Sequence, residues 1–314
     1  MARRFTILIS IFGMILAACS ADSGEPTTTL PATSDDSTFV GADGVTSDIS
    51  DTSRIVVLNG DLVEVMFALG AGDRVIGRDL TTTYPPEALA VPHIGLGRKL
   101  NAEAVIGLAP TLVIGDTQIE PLSAIEQIRA AGIPVVILDV EATLPGVSRK
   151  IKTVADILDL DDEGADLVRD VEAEVQEALD LVAQAADMPR VGYVYVRGPE
   201  TLLMFGNGMP THFLIEAAKG IDAFGEAGVT FAVPLDAEQL VAASPDVLIT
   251  PIEGFDLIGG MDAFLALPGV SETPAGMTKA IITYDEALFL GMGPRTGEAL
   301  MQLVLDLHPE LAKP

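Results

Sequence analysis

The sequence predicts an α/β protein of two βαβ lobes joined by a long rigid helix, and three observations predict it. The stretch Leu100–Ile114, LNAEAVIGLAPTLVI, returns at Leu235–Ile249 as LDAEQLVAASPDVLI, with Leu, Asn or Asp, Ala, Glu, Pro and a closing Ile in one register. Between the copies, residues 164–187 carry apolar positions at helical spacing with acids among them. That pattern reads as one helix of about 35 Å. Finally, the 314 residues are 49% hydrophobic but only 5% aromatic, enough aliphatic material for the cores of two domains.

Each copy of the repeat reads as an αβ unit. Asn101 and Asp236 are N-caps before a short helix, Pro110 and Pro245 close the loop, and an aliphatic run enters a buried strand. Glu103 and Glu238 fall in the first helical turn, where the backbone dipole favours a negative charge. They occupy equivalent positions on paired lobes.

At the N-terminus, Arg3 and Arg4 precede a mostly apolar run from Phe5 to Ile15 that is too short for a comfortable membrane span. Small residues then lead to Cys19, the single cysteine. Residues 1–18 are therefore expected to be a signal peptide. Leu16-Ala17-Ala18-Cys19 resembles the lipobox of bacterial lipoproteins, which implies lipid attachment at Cys19 and a chain anchored at the extracytoplasmic face of the cell membrane. Residues 19–53 are rich in Thr, Ser, Asp and Pro with little to bury, as a disordered tether is. The formal net charge of −28 argues against nucleic acid or anionic lipid as a partner.

The first lobe, residues 54–150, opens with a buried strand, Ile55 to Leu58, and a turn at Asn59-Gly60-Asp61 that caps a helix. That helix carries Leu62, Val63, Val65, Met66 and Leu69 on one face and stops at Gly70. After a strand from Arg74 to Gly77, the loop Asp79–Pro86 is too polar for core, and its paired prolines exclude a helix interior. This loop and Gly95–Lys99 lie on the sheet edge where open α/β folds place ligands. Helix Pro121–Ala131 and strand Pro134–Asp139 complete the lobe, and residues 151–188 form the linking region. The second lobe, residues 189–314, starts with a strand from Arg190 that Gly198-Pro199 stops. Alternation puts Tyr193, Tyr195 and Arg197 on one face, the last two at the strand's C-terminal end. A strand Leu202–Phe205, a helix from Thr211, the repeat, a helix Met261–Leu267, a strand Ala280–Tyr284 and a helix Thr296–Leu307 follow.

No GxSxG, HExxH, Walker A or CxxC motif occurs, so enzyme signatures are missing. His93, His212 and His308 are too few and too scattered for a histidine-rich metal site.

The run GRDLTTTYPPEAL, then VPHIGLGRKLNAEAVIGLAPTLVI, is followed in order by Tyr195-Val196-Arg197-Gly198, LDAEQLVAASPDVLI, LPGVSETPAG and GPRT. Over residues 54–307 the chain resembles the haemin-binding substrate-binding lipoproteins of bacterial haem ABC importers. The resemblance implies the bilobal periplasmic-binding-protein fold with Rossmann-like lobes and haem as the transported ligand. It also implies iron uptake through ABC permease subunits and no catalysis. In that family tyrosine, sometimes with histidine, holds the haem iron. Tyr84, in its TTTYP loop, resembles the ligand of Gram-negative members, and Tyr195, in Tyr-x-Arg, that of actinobacterial ones. Where the latter place a histidine, this chain has Arg98-Lys99. Ferric iron prefers a phenolate, which a neighbouring guanidinium favours, so Arg197 ranks Tyr195 slightly ahead of Tyr84. Arg98, Lys99 and Arg295 are expected to meet the propionates. Glu103 and Glu238 are expected to dock on the permease subunits. A receptor for an iron-siderophore or cobalamin would share the fold without needing an axial tyrosine. A tetrapyrrole-handling redox or chelatase component would call for further cysteine or histidine ligands.

Overall fold

Short β-forming runs on either side of Gly41–Gly44 open the described part of the chain, residues 38–312 of a computed structural model. Strands β1 (Thr38–Val40) and β2 (Thr46–Asp48) pair antiparallel around a turn in which Gly44 has φ 76°. The hairpin lies against the first lobe: Ala42 N–H donates to the Ile137 carbonyl at 2.7 Å, and Ser47 Oγ donates to that of Val135 at 3.0 Å. Asp43 pairs with Arg129 at 2.7 Å. The tether expected over residues 19–53 is thus corrected in its second half. Phe39 and Ile49 have an apolar surface to pack on, and the flanking Thr and Val residues suit a strand. The signal segment, Cys19 and the remainder of the tether lie outside the described residues.

Strands β3 (Ile55–Val57), β4 (Val75–Arg78), β5 (Leu112–Asp116) and β6 (Val135–Leu138) form a parallel sheet in the order β4-β3-β5-β6. Their near-continuous aliphatic runs are what a sheet covered on both faces requires. Helices α1 (Gly60–Ala68), α2 (Ala102–Ile106) and α3 (Leu122–Ala130) connect them. Helix α4 (Leu144–Leu158) begins where Thr143 Oγ accepts the Gly146 N–H at 3.1 Å. It crosses the boundary expected between residues 150 and 151, a correction whose signal is local. Val147, Ile151, Val154 and Leu158 recur at helical spacing and are all buried. Only α5 (Asp161–Val182) matches the linking helix, shifted a few residues toward the N-terminus. Its 22 residues span about 33 Å, and Val171, Ala178 and Val182 are buried as the periodicity requires.

In the second lobe, β7 (Arg190–Val196), β8 (Leu202–Phe205), β9 (Ile221–Asp222), β10 (Ala232–Pro234), β11 (Val247–Pro251) and β12 (Ile281–Tyr284) form one sheet. Its order is β10-β8-β7-β11-β12, with β9 beside the start of β7. Helices α6 (Pro210–Ala217), α7 (Ala223–Glu226), α8 (Ala237–Ala243) and α9 (Ile252–Ile258) precede α10 (Met261–Leu265) and α11 (Pro274–Thr278). Helices α12 (Glu286–Leu290) and α13 (Thr296–Leu307) follow β12, and α13 packs on α5.

The repeat folds as two equivalent units, α2–β5 and α8–β11. Asn101 Oδ1 accepts the Glu103 N–H at 2.9 Å, and Asp236 Oδ1 accepts the Gln239 N–H at 2.8 Å. In each lobe the repeat strand runs parallel to the opening strand, β5 beside β3 and β11 beside β7. The lobes differ on the other side, where β4 is parallel to β3 but β8 returns antiparallel to β7.

Two cations join the lobes. Lys150 of α4 donates to Asp61 in the first lobe and to the carbonyls of Gly291 and Met292 in the second, each carbonyl at 3.0 Å. Three acceptors match the three donors of an ammonium. Arg295 pairs with Glu64 of α1 at 2.8 Å. Because Asp61 lies just past β3 and Gly291 follows α12, this contact forms where the strands' C-terminal edges approach one another.

Candidate ligand-binding cleft

Alternation along β7 buries Tyr195 beside Phe205, with ring centroids 5.1 Å apart, and leaves its hydroxyl at the strand's C-terminal end. That hydroxyl donates to Glu286 Oε1 of α12 at 3.0 Å. Arg197 Nη1 stands 3.4 Å from the same oxygen and 3.9 Å from Glu286. Burial first, and then the Glu286 carboxylate, push the Tyr195 phenol up to about 12, against the pull of Arg197. Arg197 does favour the phenolate, as its place two residues along the strand leads one to expect. The guanidinium acts in that direction, but desolvation and a carboxylate outweigh it. At neutral pH the hydroxyl is a donor held in place by an acid.

Glu286 was not legible as a site residue. It follows the N-cap Asp285, whose Oδ1 accepts the Leu288 N–H at 2.7 Å, and the only signal was a capped helix directly after a strand. Glu253, at the start of α9, joins this edge, its carboxyl raised by burial and then by Asp285.

Tyr84 has a different setting. The residue is 40% exposed, and the Arg295 guanidinium carbon lies 3.8 Å from its ring centroid. Arg295 is gripped by Glu64, with Nε at 3.1 Å and Nη2 at 2.8 Å, and its backbone N–H reaches the same carboxylate at 3.2 Å. Together with Phe67, Glu174, Glu298 and Met301 they line a groove of about 870 Å³ along α1, α5 and α13. Tyr84, expected as the second oxygen donor or a contact from the opposite lobe, lines the joint where the lobes meet, and Arg295, expected at a propionate, is paired there with Glu64 through Nε and Nη2. Sequence gave Tyr84 no nearby cation; the fold supplies one from 211 residues away.

Arg98 and Lys99 are exposed on a turn, and Arg98 donates to Gln118. Asp79, only 2% exposed, fixes that turn: its Oδ2 accepts the Gly97 N–H at 2.6 Å, and its Oδ1 accepts the Thr81 N–H at 2.6 Å and the Thr81 hydroxyl. The loop read as wholly superficial therefore has a buried organiser, and its Asp-x-Thr spacing was the available signal. At the end of β5, burial and the neighbouring Asp61 push Asp116 up to about 6. Glu103 and Glu238 are exposed in the first turns of α2 and α8. His308 is buried against the Ala218 carbonyl at 2.9 Å, and His212 Nδ1 meets Asp222 at 2.9 Å. Among the described residues no group of three or more His, Cys, Asp or Glu is disposed to hold a metal ion.

Solved structures similar to this chain include the apo form of the periplasmic heme-binding protein RhuT from Roseiflexus sp. RS-1. It is 41% identical with a TM-score of 0.80, over 83% of this chain and 100% of that one. The periplasmic heme-binding protein BhuT, in complex with two hemes, is 36% identical with a TM-score of 0.77, over 82% and 99%. The heme binding protein HmuT is 31% identical with a TM-score of 0.82, over 92% and 96%. Among curated sequences, the cobalamin-binding protein of Halobacterium salinarum is 26% identical over 268 residues, 82% of this chain and 70% of that protein. The uncharacterized ABC transporter substrate-binding lipoprotein YvrC of Bacillus subtilis is 26% identical over 263 residues, 83% and 81%. The profile of the family described as periplasmic binding protein matches residues 55–288, across both sheets and the linking helix. The chain belongs to the periplasmic binding protein family.

Proposed function

We propose that this protein is the extracytoplasmic receptor of an ABC importer for haemin, which it captures between its lobes with Tyr195 as an iron ligand. One observation carries the reading: a tyrosine hydroxyl at the C-terminal end of β7, held between Glu286 and Arg197 at the sheet edge. Ferric iron is a hard cation that favours an anionic oxygen, and ligation releases the phenol proton, after which Arg197 is the near cation for the phenolate. The names of three similar solved proteins, each at least 31% identical, speak of heme. HmuT has also been solved with a tyrosine altered and with an arginine two residues later altered, the spacing of Tyr195 and Arg197.

In this reading Arg98 and Lys99 face the propionates from the first lobe, and Glu103 and Glu238 meet basic residues of the permease. Cys19 carries the lipid anchor, and the protein performs no catalysis. The joint at Tyr84, Arg295 and Glu64 holds the lobes at their angle. A cobalamin receptor is the second reading, favoured by the names of curated relatives at 26% identity and below. It has no use for the Tyr195 hydroxyl as a metal ligand.

Parallel titrations with haemin and cyanocobalamin separate the two. The haemin reading expects a saturable Soret shift with a tyrosinate charge-transfer band and no cyanocobalamin binding; the converse result rejects it.

A further inference from the structure

Strand β11 runs parallel to β7 with Ile249 opposite Tyr193, so the chain leaves β11 at the level where β7 ends. There α9 lies across the end of β7. A Cβ on Gly254 would stand 1.7 Å from the Val196 carbonyl oxygen, so only glycine lets the helix sit this close. Phe255 anchors it from the other side against Phe264, with centroids 5.7 Å apart. Pinned in this way, α9 leaves Ile252 41% and Leu257 69% exposed. The Leu257 Cδ2 lies 3.6 Å from where a Cβ on Gly198 would be, immediately past Arg197. Two large aliphatic side chains thus stand open on an edge whose other groups are Arg197, Glu253, Asp285 and Glu286.

Scattered exposed leucines are ordinary. These two differ because a glycine contact and an aromatic anchor fix their helix across the end of β7, with Leu257 beside Gly198 and Ile252 opening the helix directly after β11. We infer that Ile252 and Leu257 are the apolar contacts for one face of a porphyrin whose iron sits at Tyr195, an inference that rests on the haemin reading. A planar macrocycle offers an apolar face to these side chains and keeps its carboxylates at one rim, within the province of Arg98 and Lys99. A polyanionic ferric catecholate would instead meet three carboxylates at this edge against the one guanidinium of Arg197.

The test titrates the full chain with haemin and with metal-free protoporphyrin IX, comparing wild type with Leu257→Ser, Ile252→Ser, Leu257→Met and Tyr195→Phe. Each serine variant is expected to weaken both ligands about tenfold while keeping the tyrosinate band at saturation. Leu257→Met is expected to bind as wild type, because it keeps the apolar contact. Tyr195→Phe is expected to weaken haemin and leave protoporphyrin unchanged. Both positions are exposed, so the serine variants should unfold at the wild-type temperature, and each checks the other. Serine variants that bind both ligands like wild type overturn the inference and leave the haemin reading standing. A wild-type protein that binds neither ligand overturns both.

Discussion

Tyr195 near the end of β7 and Tyr84 in the loop after β4 both have an arginine beside them, yet the fold gives them different tasks. Arg197 and Glu286 reach the Tyr195 hydroxyl, the atom that a metal would take. Arg295 reaches the Tyr84 ring, and its own charge is matched by Glu64. A cation near a tyrosine therefore says little until the contacted atom is known. At the oxygen it acts on protonation; over the ring it acts on packing, through the quadrupole.

The comparison breaks most sharply at the joint. Glu64→Ala leaves the half-buried Arg295 without its carboxylate and should cost about 2–3 kcal/mol of stability, reduced from a fully buried pair by partial solvent access. Thermal unfolding should register this loss while the tyrosinate band of the haemin complex stays in place. A lost band with unchanged stability would mean that the joint belongs to the ligand site.

Asp79→Ala removes the acceptor for Gly97 N–H and Thr81 N–H and should cost about 2 kcal/mol in chemical denaturation. It should also loosen the turn that carries Arg98, weakening haemin more than protoporphyrin dimethyl ester, which lacks free propionates.

Asp116 offers a smaller, pH-dependent effect. Its carboxyl titrates in the fold at about 6, above the value of an unfolded chain. Between about pH 4 and 6 the folded state binds more protons than the unfolded one, so stability falls as pH rises through that window. Asp116→Asn should then stabilise the protein by about 1–2 kcal/mol near neutrality, with the gain vanishing toward about pH 4. A gain that is the same at both ends would contradict the burial and Asp61 origin of the shift.

Smallest of all is Tyr84→Phe, which keeps the ring under Arg295 and should change stability by less than about 0.5 kcal/mol.

Local signals carried far into the fold. The repeat became α2–β5 and α8–β11 with both caps in place, and the last helix spans Thr296–Leu307 as its pattern requires. The features that escaped depend on partners distant in sequence. Residues 38–48 read as tether because the edge they cover, at Val135 and Ile137, lies far along the chain. Glu64 and Arg295 are 231 residues apart, and neither has a local pattern that names the other. Glu286 reaches Tyr195 only because β12 lies two strands from β7 in the sheet, which no local pattern announces. Of the site, the tyrosine and arginine of β7 were legible; the acid that holds them was not.

Haemin titration of Tyr195→Phe beside Tyr84→Phe, followed through the Soret region and the tyrosinate charge-transfer band, tests the central claim most directly. Tyr195→Phe should lose the band and bind at least about tenfold more weakly, whereas Tyr84→Phe should keep both band and affinity. A Tyr84→Phe protein without the band, beside a Tyr195→Phe protein with a native spectrum, would contradict the account.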